Sequence, residues 1–189
     1  MELQLAIGFA VANGKGGEHA AKRAKRKVNP MSATAIIEER SVFLPDEAAT
    51  LALGSRLAHV IEPGLYLALS GNLGSGKTTL ARGILRGLGY QGKVKSPTYT
   101  LVELYNLSKL DLYHFDLYRF KDPQEWLDAG FRDHFESCNV CLVEWPERVR
   151  DLLPDPDLRI SLSVEGDGRR IRIAAETENG KRCLERLPD

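Results

Sequence analysis

The sequence predicts an α/β fold of three layers, a mainly parallel central sheet with helices on both faces. Three observations predict it. Strand-like apolar runs alternate with helix-like stretches from residue 41 onward, the order that builds parallel sheets. The segment Gly71-Asn72-Leu73-Gly74-Ser75-Gly76-Lys77-Thr78 spells G-x-x-x-x-G-K-[ST] where one such run meets one such helix, the setting of a P-loop NTPase-like fold. Two later strand ends offer a carboxylate, Glu144 closing the apolar run from Val140 and Asp116 following Tyr113-His114-Phe115, where the carboxyl ends of strands face a ligand.

The elements follow in order. Ser41-Val-Phe-Leu44 is a short strand, and Pro45-Asp46 opens a helix to about Ile61, with Leu53, Leu57 and Ile61 four residues apart. Glu62-Pro63-Gly64 stops it. Leu65 to Leu69 is the strand into the phosphate loop, and Thr78 to Leu88 is the helix that leaves it. Beyond a glycine-rich link over residues 87–92, Tyr99 to Asn106 and Leu110 to Leu117 are two strands around a polar turn at Ser108-Lys109. Pro123 to Phe135 reads as helical with a break near Gly130, and Val140 to Val143 as a buried strand. Arg159 to Val164 and Arg170 to Ala174 flank Glu165-Gly-Asp-Gly168, a hairpin by its turn chemistry.

Composition narrows the class. At 189 residues, 43% apolar and 28% charged, the chain has the length of one domain with a real core and the make-up of a soluble globular protein. No run approaches the ~18 apolar residues of a membrane span, so a cytoplasmic protein with no membrane partner is expected. Formal charge is zero but unevenly placed: residues 1–30 carry six basic and two acidic side chains, a net of +4, which leaves −4 on residues 31–189. Residues 1–30 read as a basic, disordered extension and 31–189 as a single domain, one that is not a bulk nucleic-acid binder. The extension reads as a solvated tail, as an upstream start with Met31 the true first residue, or as an arm on RNA phosphates. Leu3 to Val11 is not expected to serve as an export signal, because no charged region precedes it and the basic block Lys22 to Lys27 follows. Three cysteines are too few for a disulfide scaffold, and Cys138-Asn-Val-Cys141 lacks the second pair of a zinc knuckle, so Cys141 reads as a small apolar strand residue.

The loop chemistry points to a nucleotide. Gly74 and Gly76 let backbone N–H groups turn inward around a β-phosphate, and the helix that follows adds its positive end. Lys77 would reach the β- and γ-phosphate oxygens, and the Thr78 hydroxyl would face a magnesium ion shared with them. The binding set is therefore Gly71, Asn72, Leu73, Gly74, Ser75, Gly76, Lys77, Thr78 and Thr79. Hydrolysis also needs a carboxylate for the metal and a group that positions water, and Asp116 and Glu144 are the two candidates. Ser96-Pro97-Thr98, a hydroxyl pair on a proline-stiffened loop, would close on the γ-phosphate or magnesium as a switch. Arg119 reads first as an ion-pair partner, and His114 as a structural histidine outside the catalytic set.

Four segments in one order carry a resemblance: Gly71 to Thr79, Val94-Lys-Ser-Pro-Thr-Tyr-Thr-Leu-Val-Glu103, His114-Phe-Asp-Leu-Tyr-Arg119 and Leu142-Val-Glu-Trp-Pro-Glu147. Over about residues 40–187 the chain resembles the TsaE (YjeE) ATPases of bacterial tRNA threonylcarbamoyladenosine synthesis. The resemblance implies a P-loop fold and magnesium-dependent ATP hydrolysis, weak alone. It would support TsaB and TsaD in attaching threonylcarbamoyl to adenosine 37 of tRNAs reading codons that begin with A, with tRNA met through the complex. It also implies that Thr78 and Glu144 hold magnesium, Lys77 the phosphates, that Asp116 serves hydrolysis with Lys77 and Thr98, and that Trp145 lies beside the nucleotide. The basic extension is not part of the family pattern. The oligomeric state and the adenine contacts stay open.

Two other functions begin with the same loop. A small-molecule kinase would carry a lid of clustered arginines, for which Glu147-Arg148-Val-Arg150 is the best and a short candidate. A nucleotide-switched binding protein would bind without turnover. A GTPase is disfavoured by the lack of an Asn-Lys-x-Asp signature.

Overall fold

The computed structural model describes residues 36–120, 123–136 and 138–188; the expected basic extension, residues 1–30, lies outside them. Seven strands form one sheet in the order β1-β7-β6-β2-β5-β4-β3: β1 (Glu38–Leu44), β2 (Tyr66–Ser70), β3 (Val102–Asn106), β4 (Asp111–Asp116), β5 (Val140–Glu144), β6 (Leu158–Glu165) and β7 (Gly168–Ala175). Strands β6, β2, β5 and β4 are parallel neighbours, whereas β7 and β3 run against them and β1 runs against β7. Five of the seven strands thus point one way, and the two reversed ones each join a neighbour by a short connection. The centre is what a phosphate loop needs, a buried parallel strand with partners on both sides.

Helices cover both faces. On one side α1 (Glu47–Ala58), α2 (Lys77–Gly87) and α5 (Glu178–Glu185) close over an aliphatic core that includes Leu53, Leu67, Leu69, Leu80, Ile84, Leu142 and Ile160. On the other, α3 (Pro123–Asp128), α4 (Asp133–Glu136) and a 3-10 stretch (Pro146–Leu152) close over an aromatic core of Tyr66, Phe115, Trp126, Phe131 and Phe135. Edge-on ring contacts organise that second core, Tyr66 with Phe135 at 5.0 Å and Phe115 with Phe131 at 5.5 Å between centroids.

Helix α1 begins as the sequence implies: the Asp46 side chain accepts the Ala49 amide at 2.7 Å, and Glu47 sits in the first turn. It packs on α2 with almost no side chain between the backbones. A Cβ on Gly54 would stand 2.6 Å from the Leu80 carbonyl oxygen, and one on Gly83 2.5 Å from that of Leu51. This close approach fixes α2, and with it the phosphate loop.

Differences from the sequence reading lie at the ends of elements and in one helix. Strand β1 starts at Glu38 and β3 only at Val102, because Leu101 adopts a left-handed conformation (φ 64°) and its carbonyl accepts the Asp116 amide. Helix α5 was not expected. Its signals are short-range and readable, a Thr177 cap accepting the Gly180 amide at 3.1 Å and Glu178 in the first turn, with Gly180, Cys183 and Leu184 buried at helical spacing. Cys141 is buried in β5 among apolar neighbours, as read.

Candidate functional site

Strand alternation places the acids. In β4, Leu112 packs in the aliphatic core and Phe115 in the aromatic one, so His114 and Asp116 project toward α2 with Leu112. In β5 the same rule puts Glu144 with Leu142, and the parallel register sets Asp116 directly opposite Glu144 and Glu144 opposite Leu69. Both carboxylates, each nearly fully buried, therefore meet at the carboxyl ends of adjacent strands beside the loop that follows β2.

The loop itself is shaped by glycine. Gly71, Gly74 and Gly76 all have positive φ, 138°, 77° and 105°, and at Gly71 a Cβ would also stand 2.3 Å from the Leu162 carbonyl oxygen. Gly76 is the N-cap of α2 and offers no side-chain cap, and the first turn of α2 contains no acid. The backbone donors of that turn have no side-chain acceptor of their own, the arrangement that binds anions.

Lys77 crosses the loop, its ammonium donating to the Gly71 and Asn72 carbonyls at 2.7 and 3.0 Å and lying 3.8 Å above the Trp145 ring. Burial holds its pKa below the ordinary lysine value, and the charges of Glu144, Glu147 and Asp116 oppose that shift. The Thr78 hydroxyl donates to both Glu144 oxygens, at 2.9 and 3.1 Å. An aligned hydroxyl and carboxylate are hard oxygen donors suited to magnesium, which takes few protein ligands and completes its shell with phosphate and water. Among the described residues there is no group of three or more His, Cys, Asp or Glu that could hold a metal.

Asp116 is held from three sides. The Ser96 and Thr98 hydroxyls both donate to its Oδ2, Thr98 at 2.7 Å, and the Tyr118 amide donates to Oδ1 at 2.9 Å. Thr98 is thus tied to the acid of the site through the proline-stiffened loop. Glu144 is also fixed from behind: His114, wholly buried, places Nε2 2.9 Å from Glu144 Oε1. A carboxylate there requires a ring hydrogen on Nε2, and Nδ1 is buried without a hydrogen-bond partner among the described residues.

A cleft of about 330 Å³ gathers these groups, with Gly74, Gly76, Lys77, Thr78 and Thr79 on one wall and Ser96, Thr98, Asp116, Glu144 and Trp145 on the other. Leu73, 75% exposed at its mouth, also lines it. Gly71 and Asn72 act through their carbonyls on Lys77, and the buried Ser75 sits inside the turn. The residues singled out from the sequence for the site therefore fall in the phosphate loop, at or just beyond the ends of β4 and β5, and in the separate loop of Ser96 to Thr98. Trp145 is left-handed (φ 60°), and its amide donates to the Leu69 carbonyl, which turns the indole under Lys77 at the end of β5.

The structure adds residues that the sequence reading passed over. Tyr118 lines the cleft with its ring 5.0 Å from Trp145, and Arg148 of the short arginine segment lies 5.8 Å from the Tyr118 ring. Among the described residues Arg119 does not make the ion pair expected. Strand β4 ends at Asp116, so strand alternation no longer governs position 119, and the guanidinium stacks 4.2 Å over Tyr99 at the cleft. The only advance signal for Tyr118 and Arg119 was their place in the His114 to Arg119 motif.

Comparison with known proteins agrees with this geometry. The family model described as "Threonylcarbamoyl adenosine biosynthesis protein TsaE" matches residues 44–172. The tRNA threonylcarbamoyladenosine biosynthesis protein TsaE of Haemophilus influenzae is 42% identical over 153 residues, covering 78% of this chain and 97% of that protein. The protein of the same name from Bacillus subtilis is 41% identical over 126 residues, 67% of this chain and 77% of that one. Among solved structures, the crystal structure of Bacillus subtilis YdiB superposes with a TM-score of 0.68 at 30% identity, covering 81% of this chain and 96% of that one. With the matched span running from the end of β1 into β7 and enclosing every residue of the cleft, the chain belongs to the TsaE family.

Proposed function

We propose that this chain is a magnesium-dependent ATPase that serves TsaB and TsaD in the threonylcarbamoylation of adenosine 37 in tRNAs reading codons that begin with A. The observation that carries the reading is the convergence of Lys77, the Thr78–Glu144 pair and Asp116 at the mouth of one glycine loop. The names of its relatives support the pathway. A cytoplasmic place of action belongs to the same proposal, and among the described residues no helix is long and apolar enough to cross a membrane.

Each residue has a part that its chemistry allows. The amides of residues 74–78 and the start of α2 would hold the β-phosphate, and Lys77 would exchange its two loop carbonyls for β- and γ-phosphate oxygens. Thr78 and Glu144 would hold the magnesium ion, which supplies charge neutralisation at those oxygens. His114 keeps Glu144 in place. Asp116, an acceptor when ionised, would align a water with the γ-phosphate, a positioning role more than proton abstraction. Ser96 and Thr98 keep its orientation and connect it to the loop that contains Pro97.

Phosphate release, measured for the chain alone and for a mixture with TsaB and TsaD, tests the proposal. Slow hydrolysis alone and faster hydrolysis in the mixture are expected. Transfer of phosphate to a metabolite would make the protein a kinase, and tight binding with no turnover in any mixture would make it a switch.

A further inference from the structure

Arg169 occupies a place that the reading above leaves unused. It lies at the start of β7, in register with Val164 of β6 and Leu44 of β1, far along the chain from the phosphate loop. Its guanidinium nevertheless lies directly behind Gly76: a Cβ built on that glycine would stand 3.3 Å from Nε, 3.4 Å from Cδ and 3.8 Å from Cζ. Nη1 makes a long bond, 3.3 Å, to the hydroxyl of buried Thr50 in α1, and Nε is buried without an acceptor.

The charge at this point is unbalanced. Of the three other arginines on the hairpin's strands, Arg170 pairs with Glu165 and Arg159 with Glu176, both through two nitrogens, while Arg172 has no ion pair among the described residues. Arg169 has no ion pair of this kind among the described residues. It is set against the positive end of α2, whose first turn begins with Lys77 and lacks an acid. A cation in that position adds to the positive potential of the loop, which the carboxylates of Asp116 and Glu144 across the cleft offset only from the far wall. Buried donors are ordinarily satisfied, so an Nε with no acceptor marks a group kept there for another reason.

We infer that Arg169 is a rear cation of the phosphate loop: from behind Gly76, without touching the nucleotide, it strengthens the grip on a polyphosphate, and on a triphosphate more than on a diphosphate. The inference rests on the nucleotide reading of the loop. Its magnitude follows from partial screening, since charges several ångströms apart near a protein surface couple strongly enough to change affinity about tenfold.

Titration calorimetry of ATP and ADP, at low and high salt, on the native protein and on Arg169→Met and Arg169→Lys tests it, with thermal unfolding of each nucleotide-free protein alongside. Arg169→Met should bind ATP about tenfold more weakly and ADP less affected, the gap should narrow as salt rises, and its unfolding temperature should not fall. Arg169→Lys should keep most of the affinity. Equal ATP binding by the Met variant would overturn the inference while leaving the loop intact. So would a Lys variant as weak as the Met variant, with both unfolding early, since that pattern belongs to packing. If the native protein bound neither nucleotide, the loop reading itself would fail and this inference with it.

Discussion

Helices α1 and α2 lie backbone to backbone through Gly54 and Gly83, yet they begin in opposite ways. At α1 an aspartate caps the first turn and a glutamate follows, so the chain satisfies its own donors and balances its own dipole. At α2 a left-handed glycine replaces the cap, a lysine replaces the acid, and an arginine stands behind. Helix α5 repeats the α1 solution with Thr177 and Glu178. The contrast divides one layer of the molecule: two helices have starts closed by their own side chains, and one has a start that no side chain caps.

The strongest way to break that contrast is to remove the cation that opens α2. Lys77→Ala should lower ATP hydrolysis by at least two orders of magnitude and abolish productive binding, because Lys77 alone among the described cations crosses the loop, while Arg169 stands behind Gly76 and Arg119 lines the cleft away from the Gly71 and Asn72 carbonyls. Unchanged turnover would withdraw the site. The native protein offers a milder version through pH. Burial lowers the Lys77 pKa, and a bound polyphosphate favours the charged form. Affinity should therefore be full below that lowered value and fall as pH rises through it, before reaching the ordinary lysine value of 10.5, which a pH series of nucleotide titrations would read.

Replacing Asp116 sharpens the contrast from the strand side. Asp116→Asn keeps an acceptor for Ser96, Thr98 or the Tyr118 amide but loses the negative charge. Turnover should fall about a hundredfold with nucleotide affinity changed by a few-fold at most, the mark of a group that acts in the transition state. A fall in affinity as large as the fall in turnover would move Asp116 into binding.

Local pattern made much of this legible. The eight-residue loop motif announced its own strand and helix, and the strand ends at Asp116 and Glu144 announced the facing acids, because alternation and parallel register act over a few residues. What the sequence did not disclose depends on distance along the chain or on backbone conformation. His114 behind Glu144 and Arg169 behind Gly76 are brought in by sheet register. The left-handed turns at Leu101 and Trp145 have no glycine to advertise them. Helix α5 has its signals in Thr177 and Glu178, but at eight residues it is too short for a full apolar repeat to show.

Two smaller substitutions test the helix starts themselves. Gly76→Ala places a methyl at φ 105° and 3.3 Å from Arg169 Nε, which should destabilise the protein by about 1–3 kcal/mol in chemical denaturation and weaken nucleotide binding together. At α1 the same kind of change should leave the nucleotide untouched. Asp46→Ala removes one acceptor for the Ala49 amide on an exposed turn and should cost about 1 kcal/mol, seen as a shifted denaturation midpoint at constant slope. Affinity for ATP should not move, since the Thr50 hydroxyl that faces Arg169 donates to the Asp46 backbone oxygen and not to its side chain. A loss of affinity in Asp46→Ala would mean that the closed start of α1 supports the open start of α2 through Thr50 and Arg169, and the two helices would then be one device and not two.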